Sequence, residues 1–131
     1  HGTFWQRAYK KLLQKISALK SSLKRRSIIS GVIFDIESLE LKKMFLDIYG
    51  TECKYCNRVL TYKNIACDHI IPLAKGGDSI ADNLQLICKT CNTRKGPLDE
   101  EDFNLLVELV LELPEELSNY VMRKLAKGGR Y

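Results

Sequence analysis

Two Cys-x-x-Cys pairs are the residues of this sequence whose type and spacing most clearly indicate chemistry. The pairs are Cys53/Cys56 and Cys88/Cys91. A thiolate pair two residues apart can hold one metal ion, and two such pairs complete the tetrahedron that Zn²⁺ prefers. Four thiolates leave no open position for water, so the spacing predicts a structural zinc site rather than a catalytic one.

The insert between the two pairs contains a second set of reactive side chains. Simple zinc ribbons separate their pairs by about 15–20 residues, whereas 31 residues lie between Cys56 and Cys88. A longer loop adds little closure entropy, so the ion can hold both ends while the insert does something else. Apart from His1, His69 is the one histidine, and base catalysis by imidazole near neutral pH would depend on it.

Oxygen ligands and cations accompany this histidine. Asp68 and Asn92 offer a carboxylate and a carboxamide oxygen, which suit a Mg²⁺-like ion that also binds water and phosphate. Asn83 alone is typical of a turn. Arg94 and Lys95 lie one helical turn beyond the second cysteine pair, where they would contact a phosphate or only favour the end of a short helix. A base, an oxygen-ligated metal and cations indicate phosphodiester hydrolysis.

Two short strands and a brief helix must position these side chains. The apolar run Ile65–Cys67 predicts a strand that ends at Asp68-His69, and Leu84–Ile87 predicts a second strand, followed by a helix through Lys95. Strand alternation would send Asp68 and His69 to opposite faces. Both can serve one site only at a strand end or a local twist.

Further helices are predicted on both sides of this core. Apolar residues three and four apart, from Trp5 and Tyr9 to Leu23, predict an N-terminal helix that ends at Arg25–Ser27. This helix is predicted to pack its apolar stripe on the domain, with its lysines either solvated or available to a DNA backbone. The alternative is a dimerising helix. The state of Ile28–Phe34 is left open. Ser38 is the predicted N-cap of a helix that Gly50 ends, and Asp99 is the predicted cap of a helix to about Leu113. Pro114 suits the first turn of a last helix that runs to Gly128-Gly129. The inward residues of the last two are predicted to be Phe103, Leu106, Val107, Val110, Leu111, Leu117, Tyr120, Val121 and Leu125.

Charge and cysteine usage narrow the class of protein. The formal net charge is +5, with eight basic and no acidic residues in 1–34, and eight acidic and no basic residues in 98–117. This distribution indicates either a face for polyanions or ordinary charged helix surfaces. Four of the five cysteines fall in the two Cys-x-x-Cys pairs, here called knuckles. Such metal-binding pairs predict a reducing, cytoplasmic setting. No apolar run approaches the roughly 18–20 residues of a membrane span.

Taken together, four segments resemble the HNH endonuclease family in its zinc-stapled ββα-metal form. They are Asp68–Pro72, Gly76-Gly77, Asp82–Gln85 and Cys88–Lys95. The resemblance covers roughly residues 50–97. The last letter of the motif falls on Asn92 rather than on histidine, which makes this an H-N-N variant.

This resemblance implies specific roles for the residues of the insert. It implies that His69 is the general base that activates water, and that Asp68 and Asn92 bind a catalytic Mg²⁺ or Mn²⁺. It further implies that Asn83 braces the loop between the strands and so orients the base. Lys75, Arg94 and Lys95 are the predicted contacts to nucleic acid.

The sequence therefore predicts an α+β protein with a ββα-metal finger core, held by a four-cysteine zinc site and flanked by helices. Its predicted parts are a basic helical arm over 1–36, the nuclease core over 37–97 and a helical extension over 98–131. The predicted function is metal-dependent DNA cleavage, with DNA as the partner and the oligomeric state open. The alternative is a zinc-stabilised nucleic-acid-binding module that does not cleave.

Overall fold

The computed structural model describes residues 3–125, so the predicted end of the last helix near Gly128 lies outside the described residues. The elements are α1 (Phe4–Ser30), β1 (Phe34–Asp35), α2 (Ser38–Ile48), β2 (Ile65–His69), β3 (Ser79–Ile80), β4 (Leu84–Cys88), α3 (Lys89–Lys95), α4 (Glu100–Leu111) and α5 (Glu115–Leu125). The predicted α+β class is confirmed. Among residues 3–125, no helix combines the length and the apolarity that crossing a bilayer requires.

The N-terminal helix α1 is longer than predicted. It begins at a capping box on Thr3 and continues to Ser30, three residues beyond the predicted end at Ser27. Gly31 then reverses the chain with φ of 70°, a left-handed conformation that glycine adopts at no steric cost. The next residues lead directly into β1, which begins at Phe34.

The apolar face of α1 is part of the core. Leu12, Ile16 and Leu23 are buried in the same cluster as residues of α2 and of the β2–β4 pair. Each fully buried aliphatic side chain stabilises the fold by about 1.5–3 kcal/mol. Trp5 is 78% exposed and Tyr9 is also exposed, so the buried stripe starts later than the sequence predicted.

The predicted ββα arrangement is present. Strands β2 and β4 pair antiparallel, with a register that runs from Ile65 opposite Cys88 to His69 opposite Leu84. Helix α3 follows β4 without a break and packs on β2. Strand β3, in the loop between β2 and β4, pairs in parallel with β1, where Phe34 lies opposite Ser79. This second pairing attaches the loop to the end of α1.

The helix ends and the outer faces differ from the predictions in detail. The N-cap of α2 is Glu37, which forms a capping box, rather than Ser38. Asp99 caps α4 as predicted, and its carboxylate accepts a hydrogen bond from the backbone N–H of Asp102 at 2.8 Å. The prediction of inward faces was wrong for three residues, because α4 and α5 bury only a narrow strip around Phe103, Val110 and Ser118. The exposed ones are Leu111, Leu117 and Tyr120.

Candidate active site and metal centre

The four knuckle cysteines converge at one end of the ββα unit. Their sulfurs all lie within 4.8 Å of one another, and Sγ of Cys56 is 3.5 Å from Sγ of Cys88. Four sulfurs 2.3 Å from a tetrahedral zinc would stand about 3.8 Å apart. The cluster therefore has the composition and the spacing of a structural metal site, as the sequence predicted.

Local backbone geometry shapes both knuckles. In the first, Asn57 adopts φ of 62° and its N–H donates to the carbonyl of Cys53 at 2.9 Å, which closes the turn. In the second, the Cys88 sulfur accepts the N–H of Cys91 at 3.3 Å and so caps α3. Asparagine tolerates this left-handed conformation better than most residues. The two turns point all four sulfurs toward one centre.

The thiols of the cluster differ in acidity. Burial would raise the pKa of Cys53, but backbone N–H groups around its sulfur outweigh burial and lower this pKa to about 7. Burial raises the pKa of Cys88 and of Cys91. Binding of an ion would therefore release protons from buried thiols, which couples metal affinity to pH.

Asp68 forms a buried ion pair with Lys95. The Lys95 side chain is 0% exposed and its Nζ is 3.0 Å from Oδ2 of Asp68, which is itself 6% exposed. Lys95 also donates to the carbonyl of His69 at 3.2 Å, and Gln85 donates to Oδ2 of Asp68 at 2.8 Å. Lys95 was predicted to contact nucleic acid, but its ammonium points into the ββα unit rather than toward solvent.

His69, at the end of β2, turns to the other side. Its Nε2 is 2.8 Å from Oγ of Ser79 in β3, and that oxygen is 2.6 Å from Oγ of Ser27 in α1. Nδ1 of His69 makes no hydrogen bond among residues 3–125. In that range, Nε of Arg94 is the one side-chain nitrogen or oxygen that is both unpaired and fully buried. Nδ1 of His69 is unpaired as well, so it is not fully buried and retains contact with solvent.

The charge state of His69 follows from its surroundings. Burial lowers the pKa of His69 below its ordinary value of 6.5. The positive charges of Arg26 and Lys95 lower this pKa further, while the Asp68 carboxylate opposes them. His69 is therefore neutral at pH 7, which is the state that can accept a proton.

Asn83 holds the loop that follows His69. Its Oδ1 accepts the N–H of Ile71 at 2.8 Å, and its Nδ2 donates to the carbonyls of Ile71 at 3.1 Å and Asp78 at 2.8 Å. A Cβ at Gly77 would lie 1.7 Å from the Ile71 carbonyl oxygen, so only glycine fits at this position. This network fixes both ends of the loop.

Three further residues were predicted to belong to the site. Asn92 is one helical turn before Lys95 on α3, and within the described part of the chain its carboxamide has no hydrogen-bond partner. Arg94 has a buried Nε without a partner in the same range. Lys75 is half-exposed and pairs with Asp99 at 3.1 Å. The carboxamide of Asn92 and Nε of Arg94 are thus unpaired among the described residues, whereas Lys75 is already engaged.

The sequence did not reveal the contribution of α1. Ser27 and Arg26 come from α1, and Ser79 comes from a two-residue strand, so no motif or spacing connects them to His69. The one available signal was compositional. A serine at a position of the apolar helical stripe, such as Ser27 four residues after Leu23, needs a hydrogen-bond partner when it is buried.

A β-hairpin and a helix stapled by four cysteines, with an Asp-His pair at the end of the first strand, define a ββα-metal domain. The sequence model of the HNH endonuclease family matches residues 53–98. HNH domains are generally endonucleases that use divalent metals, so the match connects the chain to chemistry on nucleic acids. No curated protein matches the chain.

Proposed function

We propose that this chain is a metal-dependent DNA endonuclease in which His69 is the general base. The observation that most supports this proposal is the placement of His69. Its imidazole is neutral and held by one nitrogen, while Nδ1 keeps contact with solvent. A purely structural histidine would gain nothing from leaving a basic nitrogen unpaired and open to solvent.

The donor set fits a divalent ion. Oδ1 of Asp68 accepts one hydrogen bond, from Lys95, and so keeps a lone pair for a metal, while the carboxamide of Asn92 is free among the described residues. Carboxylate and carboxamide oxygens suit Mg²⁺ or Mn²⁺. Because the Lys95 ammonium shares this carboxylate, we expect the ion to bind weakly until a phosphate adds its own negative charge.

Two arginines are candidates to hold the scissile phosphate. Arg26 of α1 is close enough for its charge to lower the pKa of His69, and Arg94 on α3 has no ion-pair partner within residues 3–125. Guanidinium groups bind phosphate oxygens in bidentate geometry. Arg26 and Arg94 are therefore our candidates for phosphate contact, in place of the buried Lys95.

We infer the chemical step from these proposed roles. His69 takes a proton from water at Nδ1, and the resulting hydroxide attacks phosphorus in line with the 3′ oxygen. The bond from phosphorus to that oxygen breaks, and the departing oxygen takes a proton from solvent. A divalent ion on Asp68 and Asn92 would supply charge neutralisation to the phosphate and to the leaving oxygen. The products carry 5′-phosphate and 3′-hydroxyl ends. Asn83 acts by keeping the loop after His69 in one conformation.

A plasmid assay tests the proposal. Zinc-loaded protein should convert supercoiled plasmid to the nicked form with Mg²⁺ or Mn²⁺ and not with EDTA, and DNA ligase should reseal those nicks directly because their ends match. Ser118→Ala, which alters a buried serine of α5, is the control for general damage. Protein that binds DNA and holds zinc but never nicks would instead be the non-cleaving binding module.

A further inference from the structure

We propose that helix α1 sets the tautomer of His69 through a chain of two buried hydroxyl groups, those of Ser27 and Ser79. Both serines would be positioning residues, because neither touches the reacting atoms. The inference rests on the proposed role of His69 as the base. It adds that a helix outside the HNH segment, residues 53–98, prepares that base.

The chain consists of three short hydrogen bonds in a closed environment. Ser27 Oγ is 2.6 Å from the carbonyl oxygen of Leu23, Ser27 and Ser79 hydroxyls are 2.6 Å apart, and Ser79 Oγ is 2.8 Å from Nε2 of His69. Ser27 and Ser79 are both 0% exposed, and His69 is 6% exposed. Water therefore does not compete for these bonds.

The direction of each bond follows from the end of the chain at Leu23. A carbonyl oxygen can only accept, so the single hydroxyl proton of Ser27 lies on the bond to Leu23. The bond between the two serines must then use the proton of Ser79. With its proton committed, Ser79 can only accept from His69, which places a proton on Nε2.

This assignment leaves Nδ1 as the unprotonated nitrogen of neutral His69. Nδ1 is also unpaired and not fully buried, so water can reach the basic lone pair. When Nδ1 takes a proton from water, Nε2–H still donates to Ser79, and no hydrogen bond in the series changes direction. The same hydrogen bonds thus fit both charge states of the base.

The backbone explains why Ser27 and Ser79 meet. The chain turns at Gly31 directly after α1, and the N–H of Ser79 donates to the carbonyl of Ile33 at 2.8 Å. Asp78 accepts the N–H of Ile33 at 2.9 Å, which fastens the same crossing from the other side. The pairing of β1 with β3 is only two residues long, but it holds Ser79 within hydrogen-bond distance of His69.

Nitrogen-15 NMR of the histidine ring tests the chain directly. We expect zinc-loaded wild-type protein at neutral pH, without Mg²⁺ or Mn²⁺, to show the Nε2–H tautomer with a slowly exchanging proton. Ser27→Ala frees the Ser79 hydroxyl to donate to Nε2, so it should produce a mixture of tautomers, as should Ser79→Ala. Ser27→Thr retains the hydroxyl and should restore the wild-type spectrum.

Cleavage should change in parallel but modestly. If one hydrogen bond is worth about 0.5–1.5 kcal/mol, kcat should fall about 2- to 12-fold in Ser27→Ala with little change in KM. Ser118→Ala, the buried serine of α5, should change neither the spectrum nor kcat.

Two outcomes would overturn the proposed chain of hydrogen bonds. One is the Nδ1–H tautomer in wild-type protein, a result that does not depend on whether any variant folds. The other is a folded Ser27→Ala protein with an unchanged Nε2–H spectrum. A wild-type protein with the expected tautomer but no cleavage would remove the nuclease proposal and leave the chain intact, so the two failures are distinguishable.

Discussion

Replacing Lys95 with methionine removes one partner of the buried ion pair and keeps the volume of the side chain. The variant leaves the Asp68 carboxylate with one hydrogen bond, from Gln85, in a site that is 6% exposed. A buried charge that loses its partner destabilises a protein strongly, because neither water nor a counter-charge replaces it. We therefore expect Lys95→Met to be among the most destabilising single changes outside the zinc cluster.

The magnitude follows from the distance and the burial. Two charges 3.0 Å apart attract by about 5–6 kcal/mol at an effective dielectric constant of about 20. Measured losses after removing one partner of a buried pair are about 3–5 kcal/mol. For a chain of this length, that loss should lower Tm by about 10–20 °C.

The assay is thermal unfolding followed by circular dichroism, at constant zinc, with a matched control. Lys75→Met removes another lysine that pairs with a carboxylate, but Lys75 is half-exposed, so its Tm should not change measurably. The double variant Asp68→Asn/Lys95→Met should lose less than the sum of the single variants, since it leaves no lone charge. Mn²⁺ should restore more stability to Lys95→Met than to wild type, because the ion no longer competes with an ammonium.

Equal Tm values for Lys95→Met and Lys75→Met would refute this reasoning. So would additive losses in the double variant, because additivity means that the two side chains are not coupled. A normal Tm together with weaker DNA binding in Lys95→Met would instead favour the surface role that the sequence predicted.

Three further predictions concern the metals and the basic surface. Cys88→Ser should lower the zinc content well below one ion per chain and abolish cleavage. Cys67→Ser changes a buried cysteine outside the cluster and should keep one zinc ion per chain. Wild-type protein that is folded and active without zinc would contradict the zinc site. Asp68→Ala and Asn92→Ala should each raise the Mn²⁺ concentration needed for half-maximal nicking, and an unchanged metal dependence would exclude them as ligands. Lys10, Lys24 and Arg25 are exposed on α1, and changing all three to glutamine should weaken the salt dependence of DNA binding. The slope of log K for DNA binding against log salt concentration should fall in magnitude by up to about 2–3, at roughly 0.9 per lost phosphate contact. An unchanged slope would show that this face of α1 does not contact DNA.

The ββα core was predictable because its signals are local. Cysteine spacing and a short apolar run before Asp68-His69 each specify one element, and the elements are adjacent in sequence. Asp68 and His69 also point to opposite sides of β2, as strand alternation predicts. Asp68 turns to α3 and His69 turns to Ser79, so the two neighbours meet different partners.

The rest depends on contacts between distant segments, which sequence patterns do not encode. Lysine is almost always exposed, and only the fold reveals that Lys95 neutralises Asp68. The bond between Ser27 and Ser79 spans 52 residues and needs the reversal at Gly31. Exposure of Leu111 was missed because periodicity gives the apolar face of a helix but not the width of the surface it covers.

Single-turnover nicking by His69→Ala is the most direct measurement of the proposed base. With zinc-loaded protein, saturating Mg²⁺ and protein in excess over plasmid, the variant should bind DNA as tightly as wild type but nick it about 10²- to 10⁴-fold more slowly. The comparison isolates the base because the zinc cluster and the Asp68–Lys95 pair stay in place. A nicking rate within a few-fold of wild type would show that His69 does not activate the water.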